Sequence, residues 1–131
     1  MTLVVDTSAL VAVLFGEPDA STFLRCLEGA ERSFLSCVSL HETRIVTLGR
    51  RGEAGLSKLD ALIANNAIQL VPFDEAQAQL AFEAHARFGK GRHPARLNLA
   101  DCAAYALARS MGAPLLFKGD DFRLTDVTPA L

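Results

Sequence analysis

The sequence predicts a three-layer α/β/α domain, with helices on both faces of a short, mainly parallel sheet of four to five strands. Short runs rich in Val, Ile and Leu recur along the chain, segments with helical periodicity separate them, and Gly, Pro and Asn mark the boundaries. Strands that alternate with helices form parallel sheets. With 131 residues, half of them hydrophobic, the chain is expected to form one domain, residues 1–131.

Composition and charge exclude several classes of protein. A net charge of −2 gives no overall attraction to nucleic acid or membrane, so a polyanion must bind through a local patch or through metal ions. Three cysteines without a Cys-x-x-Cys pair argue against a disulfide framework and a zinc site. The longest apolar run, Ala9 to Phe15, is far shorter than the ~20 residues of a membrane span. Without a signal-peptide pattern, we expect a soluble cytoplasmic protein.

Turn and capping residues divide the first half of the chain. Gly16 is suited to end one helix, and Pro18 to begin the next. Either Ser36 or Ser39 is a suitable cap for the helix that follows, and Gly52 separates that helix from another. The predicted elements are a strand at 2–5, helices at 8–15 and 20–28, a strand at 33–36, and helices at 38–50 and 54–66.

Capping signals also define the second half. Asp74 and Asn98 each precede a helix and are residues favoured at N-caps, while Gly112 and Pro114 follow the second of these helices. The predicted elements are a strand at 68–72, a helix at 75–88, a loop at 89–94, a helix at 99–111, a strand at 115–117, a turn at 119–122, and a short last strand starting at 126–127. Helical periodicity further predicts that the following residues face the core: Val38, Ile45, Leu48, Ala78, Ala81, Phe82 and either Ala84 or Ala86.

Five carboxylates follow strands or lie in the first turns of helices on this scaffold. Because strand ends and the N-termini of the following helices meet at one edge of a parallel sheet, these acids can share a cleft. They are Asp6, Glu42, Asp101, Asp120 and Asp121. Clustered carboxylates repel one another unless a cation lies between them, and Mg²⁺ and Mn²⁺ prefer such oxygen ligands. Metal ions held in this way activate water for phosphodiester hydrolysis.

Four segments, in this order, resemble the PIN domain, and within it the VapC-type toxin ribonucleases. They are Val5-Asp6-Thr7-Ser8-Ala9-Leu10, Ser39-Leu40-His41-Glu42-Thr43, Leu97-Asn98-Leu99-Ala100-Asp101-Cys102, and Leu115-Leu116-Phe117-Lys118-Gly119-Asp120-Asp121-Phe122 with Thr125-Asp126. Each segment alone is a weak signal. Together they span nearly the whole chain, at separations typical of that family.

The resemblance implies an endoribonuclease that depends on Mg²⁺ or Mn²⁺. Asp6 and Asp101 match the principal metal ligands, and Glu42 matches a third acid. The fourth acid stays open: the family's Gly-x-Asp-Phe turn favours Asp121, with Asp120 as an additional ligand or outer acid.

The resemblance further implies supporting residues and partners. Thr7 and Ser8 match groups that orient Asp6 or a bound water, and Asn98 matches a helix cap near the site. The expected partners are an RNA substrate, a small cognate antitoxin that covers the cleft, and a second copy of the chain in a homodimer.

A basic segment, residues 85–96, precedes the helix that carries Asp101. Its ordinary interpretation is a mobile, solvated loop, but its position favours RNA binding, with Lys90, Arg92 and Arg96 as candidate phosphate contacts. His93 is interpreted as a surface residue rather than a general base.

Two other functions remain open. A PIN-like module that binds RNA or a partner without cutting is one, although the full acidic set argues against it. A receiver-like phosphoacceptor domain is the other, because Lys118 follows a late strand. The single acid after the first strand and the absence of an acid directly after residues 68–72 argue against a receiver.

Overall fold

The computed structural model describes residues 1–131 and contains one four-stranded, fully parallel sheet in the order β3-β2-β1-β4. The strands are β1 (Thr2–Val5), β2 (Arg32–Ser36), β3 (Ile68–Val71) and β4 (Leu115–Leu116). The strands β1, β2 and β3 lie side by side in chain order, and β4 pairs with the opposite edge of β1. This reversal of strand order creates a cleft between the carboxyl ends of β1 and β4, which is where open α/β sheets bind ligands.

Five α-helices cover the sheet, where the sequence predicts six. They are α1 (Thr7–Leu14), α2 (Ala20–Gly29), α3 (Cys37–Asn65), α4 (Glu75–Phe88) and α5 (Leu99–Met111), followed by a short 3₁₀ helix, Asp121–Leu124. The two helices predicted on either side of Gly52 are joined in α3, and the non-helical backbone at Gly52 (φ 62°, ψ −155°) kinks it there. None of the helices combines the length and apolar character that crossing a membrane requires.

Two apolar layers hold the helices to opposite faces of the sheet. Alternate residues of β1 point in opposite directions, so Leu3 and Val5 join the layer under α1 and α2, whereas Val4 joins the layer under α4 and α5. All three side chains are fully buried, and each contributes about 1.5–3 kcal/mol by leaving water.

Four predicted core residues are exposed instead. Ile45 and Leu48 on α3 are 58% and 51% exposed, and Phe82 on α4 is 68% exposed. The inward face of α3 carries Thr43 and Thr47. Ala78 is also exposed, because the inward face of α4 consists of Gln77, Ala84 and Phe88, with Ala81 partly buried.

The predicted last strand at 126–127 does not form. The C-terminal segment instead pairs with β4 by a single bridge between Leu115 and Pro129. It is anchored through Asp126, whose Oδ1 accepts a 2.7 Å hydrogen bond from the Tyr105 hydroxyl. Guanidinium nitrogens of Arg87 and Arg109 each lie 3.3 Å from Asp126 Oδ2.

Replacing Asp126 by Ala is expected to destabilise the protein by about 1–3 kcal/mol, because the buried Tyr105 hydroxyl would lose its acceptor. Urea unfolding of Asp126→Ala, Tyr105→Phe and the double variant measures this. The double variant should lose less than the sum of the single losses. Additive losses would show that the two side chains do not act as a pair.

Candidate active site

Asp6 lies at the carboxyl end of β1 and forms the N-cap of α1. Its Oδ2 accepts hydrogen bonds from the backbone N–H of Ser8 at 3.0 Å and from the Ser8 hydroxyl at 2.6 Å. Only 4% of Asp6 is exposed. Burial raises the pKa of this carboxyl, the Ser8 hydrogen bonds oppose that rise, and the charge of Glu42 adds to it. The fold therefore holds a carboxylate where water solvates it poorly.

Asp101 lies in the first turn of α5, where Asn98 fixes it. The Asn98 side chain caps the Asp101 N–H at 2.8 Å, and Asp101 Oδ2 accepts from the Asn98 N–H at 3.0 Å, which is a reciprocal capping box. In both Asp6 and Asp101, Oδ2 is thus engaged by the residue's own turn.

Four acids converge on this point. Burial raises the pKa of Asp101 to about 6, against the Asn98 hydrogen bond, and the charges of Asp6, Glu42 and Asp121 raise it further. Asp6 comes from β1, Glu42 from the start of α3, and Asp121 from the start of the 3₁₀ helix after β4. Asp120, the residue before that helix, is exposed and is not among the charges that act on Asp101.

The two hydroxyls after Asp6 have different roles. The Ser8 hydroxyl donates to Asp6 Oδ2 at 2.6 Å. The buried Thr7 hydroxyl donates instead to the Ser39 carbonyl at 3.1 Å and lies 3.0 Å from the Thr43 hydroxyl. Thr7 thus ties α1 to α3, the helix that carries Glu42. Ser36, rather than Ser39, caps α3.

The donor set suits a hard divalent cation. All four converging side chains are carboxylates, and neither His nor Cys is among them. In this structure no three acidic, His or Cys side chains are spaced to hold a metal ion, so a cation bound here would be held by few protein oxygens. Such a site would leave several ligand positions to water or substrate oxygens, which is how Mg²⁺ is commonly bound.

The basic segment before α5 is folded back on itself. Gly89 and Leu97 form a parallel bridge, and the Lys90 N–H donates to the Leu97 carbonyl at 3.0 Å. Lys90, Arg92 and Arg96 are exposed, and none forms a salt bridge. His93 Nδ1 accepts from the Ala95 N–H at 3.0 Å, so this histidine stabilises the loop. The cations are therefore presented on an ordered turn.

A sequence profile of the PIN domain matches residues 3–127. The chain belongs to the PIN domain family. Ribonuclease VapC of Mycolicibacterium smegmatis is 48% identical over 125 residues, which cover 95% of this chain and 97% of that protein. This shows that the PIN domain is of the VapC ribonuclease type.

Solved structures show the same fold. The sarcin-ricin loop cleaving toxin VapC20 of Mycobacterium tuberculosis superposes with a TM-score of 0.79 at 19% identity, covering 96% of both chains. VapBC-5 of the same organism, a member of the VapBC family of toxin–antitoxin systems, gives a TM-score of 0.66 at 21% identity, covering 98% of this chain and 94% of that one. The predicted PIN-like α/β/α architecture is confirmed.

Sequence reasoning missed the role of Lys118 in this PIN domain. Its Nζ lies 2.6 Å from Glu17 Oε1 and 3.1 Å from Asp19 Oδ1, in the turn between α1 and α2. Its backbone N–H donates to the Ser8 hydroxyl at 2.9 Å. Asp74, the nearest acid after β3, caps α4 through the Gln77 N–H. Lys118, the residue that kept a receiver-like function open, therefore has another role, and Asp74 acts as a helix cap.

Proposed function

We propose that this PIN domain is an endoribonuclease that uses Mg²⁺ or Mn²⁺ to hydrolyse RNA phosphodiester bonds and acts as the toxin of a toxin–antitoxin pair. The observation that carries the proposal is the convergence of three carboxylate charges on Asp101 at the carboxyl edge of the sheet. The ribonuclease names of relatives with up to 48% identity support the reaction. We assign Asp6, Glu42, Asp101 and Asp121 as the metal-holding acids, and Asp120 as a more distant acid.

In this mechanism the protein supplies a fixed, poorly solvated set of oxygens. A divalent ion bound there would supply Lewis-acid activation of water and charge stabilisation at the scissile phosphate. Ser8 orients Asp6 by donating to Oδ2, and the Asn98 N–H orients Asp101 in the same way. Glu42, which is half-buried, is placed by α3.

The first test is cleavage of RNA by the purified protein with Mn²⁺ or Mg²⁺, against the same reaction in EDTA. Cleavage that requires the added ion is the expected result. RNA binding without cleavage under all metal conditions would favour the alternative, a non-catalytic PIN module. Labelling of an Asp by a small phosphodonor would instead favour a receiver-like domain.

We assign Lys90, Arg92 and Arg96 as contacts to RNA phosphates beside the acids. Replacing all three by Met should raise KM about 10-fold or more at low salt, with kcat changed less than threefold, because phosphate contacts contribute chiefly to binding. The dependence of KM on salt concentration should also weaken. Lys58→Met is a matched control, since Lys58 is an exposed lysine outside the site without an ion pair. An unchanged KM would refute the assignment.

The proposed partners are a small antitoxin and a second copy of the chain. The toxin–antitoxin setting of VapBC-5 supports the first. Exposed apolar side chains support an interface: Phe82 and Leu99 are 68% and 88% exposed and line a groove of about 610 Å³ between α4 and α5. We assign this groove to the homodimer.

A further inference from the structure

Lys118 is bound at both its main chain and its side chain, and each end contacts a different part of the molecule. The backbone N–H donates to the Ser8 hydroxyl at 2.9 Å. The ammonium bridges two carboxylates, Glu17 at 2.6 Å and Asp19 at 3.1 Å. The residue therefore links the end of β4 to the start of α1 and to the turn after α1.

The main-chain contact bears directly on Asp6. A serine hydroxyl has one proton to donate. Because the Ser8 oxygen accepts from the Lys118 N–H, its own proton is directed to Asp6 Oδ2, which lies 2.6 Å away. A displacement of Lys118 would therefore disturb the hydrogen bond that orients Asp6.

The chain after Lys118 bears on Asp121. Gly119 follows with a positive φ of 102°, and Asp121 begins the 3₁₀ helix two residues later. The exposed residues of this turn have few anchors of their own, since Asp120 makes no side-chain cap. Lys118 therefore fixes the start of this turn and the buried Phe122 fixes its end, so that Asp121, whose charge acts on Asp101, lies between two anchored residues.

The ammonium contacts provide the anchor. Lys118 is half-buried, with 36% of its side chain exposed, and Glu17 and Asp19 are exposed by 28% and 39%. The ammonium offsets the repulsion between the Glu17 and Asp19 carboxylates. It also holds the turn between α1 and α2 against the turn after β4. An isolated surface pair would contribute little, but this bridge joins segments about a hundred residues apart.

We propose that Lys118, Glu17 and Asp19 form a clamp that positions Asp6 and Asp121 relative to each other, so that Lys118 is a positioning residue for the reaction. This inference rests on the proposed ribonuclease function. The clamp acts on the geometry of the acids and does not contact RNA.

The test compares Lys118→Met, Lys118→Arg and the Glu17→Gln/Asp19→Asn double variant with the unmodified chain. RNA cleavage gives kcat and KM, and calorimetric titration with Mn²⁺ alone gives an affinity that does not depend on turnover. Lys118→Met should lower kcat and weaken Mn²⁺ binding about 10-fold each, with KM changed less than twofold. The Lys118→Arg variant should keep most of the kcat and most of the Mn²⁺ affinity, because arginine can also bridge two carboxylates.

The Glu17→Gln/Asp19→Asn double variant removes the two carboxylates that bind the Lys118 ammonium. It provides a second test of the clamp if Lys118→Met does not fold. It should reproduce the losses, and combining it with Lys118→Met should add nothing further. Lys58→Met should be unaffected. Unchanged kcat and Mn²⁺ affinity, or a rise in KM alone, would overturn the clamp. The clamp would also be overturned if the Glu17→Gln/Asp19→Asn variant kept full activity while Lys118→Arg was inactive. The Lys118 ammonium would then act directly and not through the two acids. An inactive unmodified chain would instead overturn the proposed function itself.

Discussion

Asp101→Asn is expected to reduce RNA cleavage more than about a hundredfold, since residues that merely support metal ligands already contribute 10–100-fold. Asparagine keeps the shape of the side chain, and its oxygen can still accept from the Asn98 N–H, so the capping box is retained. The substitution removes the negative charge of Asp101, the carboxylate on which the charges of Asp6, Glu42 and Asp121 act. Single-turnover cleavage at saturating Mn²⁺ measures the effect.

Stability separates this loss from misfolding. Removing one of four converging charges should leave the thermal midpoint of the metal-free protein unchanged or raise it. Asp60→Asn is the matched control, since Asp60 is exposed on α3 and makes no hydrogen bond or ion pair. Asp6→Asn should behave as Asp101→Asn does. Retention of more than a tenth of the cleavage rate by Asp101→Asn would exclude it as a metal-holding residue.

Local capping signals explain why some elements could be predicted closely. Asp74 and Asn98 accept from the backbone N–H groups three residues on, and both helices begin directly after these caps. At the other end of α5, Gly112 adopts the left-handed conformation that ends the helix. These interactions span only a few residues, so the sequence contains them almost completely.

Helix orientation depends on distant partners and was predicted less well. Ile45 and Leu48 are spaced as a helical face, but the face that meets α1 is the one with Thr43, whose hydroxyl contacts Thr7 across 36 residues. Nothing in the local pattern distinguishes these two faces. An apolar face left outward is instead available to a partner.

The position of the acids could be predicted from topology, whereas their supports could not. A residue after a parallel strand lies at the carboxyl edge whatever its neighbours are, which places Asp6 and Asp121 correctly. Whether Thr7 or Ser8 turns back to Asp6 depends on the direction of the first helical turn. The contact of Lys118 with Glu17 joins residues 101 positions apart, and no periodicity encodes it.

The acidic centre should also make stability depend on pH in the metal-free protein. The pKa of Asp101 is about 6 in the folded state and about 3.9 when unfolded. Between these values the folded state binds more protons than the unfolded state, so the free energy of unfolding falls as pH rises from about 4 to 6 and is then level. Burial of Asp6 acts in the same direction. For Asp101 we expect the free energy of unfolding to fall by about 1 kcal/mol, after allowing for solvent screening of a partly exposed carboxylate.

The measurement is urea unfolding in EDTA across this pH range for the unmodified chain and for Asp101→Asn, since their difference removes the titration of all other groups. Added Mn²⁺ at 100 times its Kd should stabilise the unmodified chain by about 2.7 kcal/mol at pH 7.5. At a fixed Mn²⁺ concentration the gain should shrink below pH 6, because protons compete for the same oxygens. Equal pH profiles for the two proteins, or a Mn²⁺ gain that persists in Asp101→Asn, would show that the charge of Asp101 is not part of the metal centre.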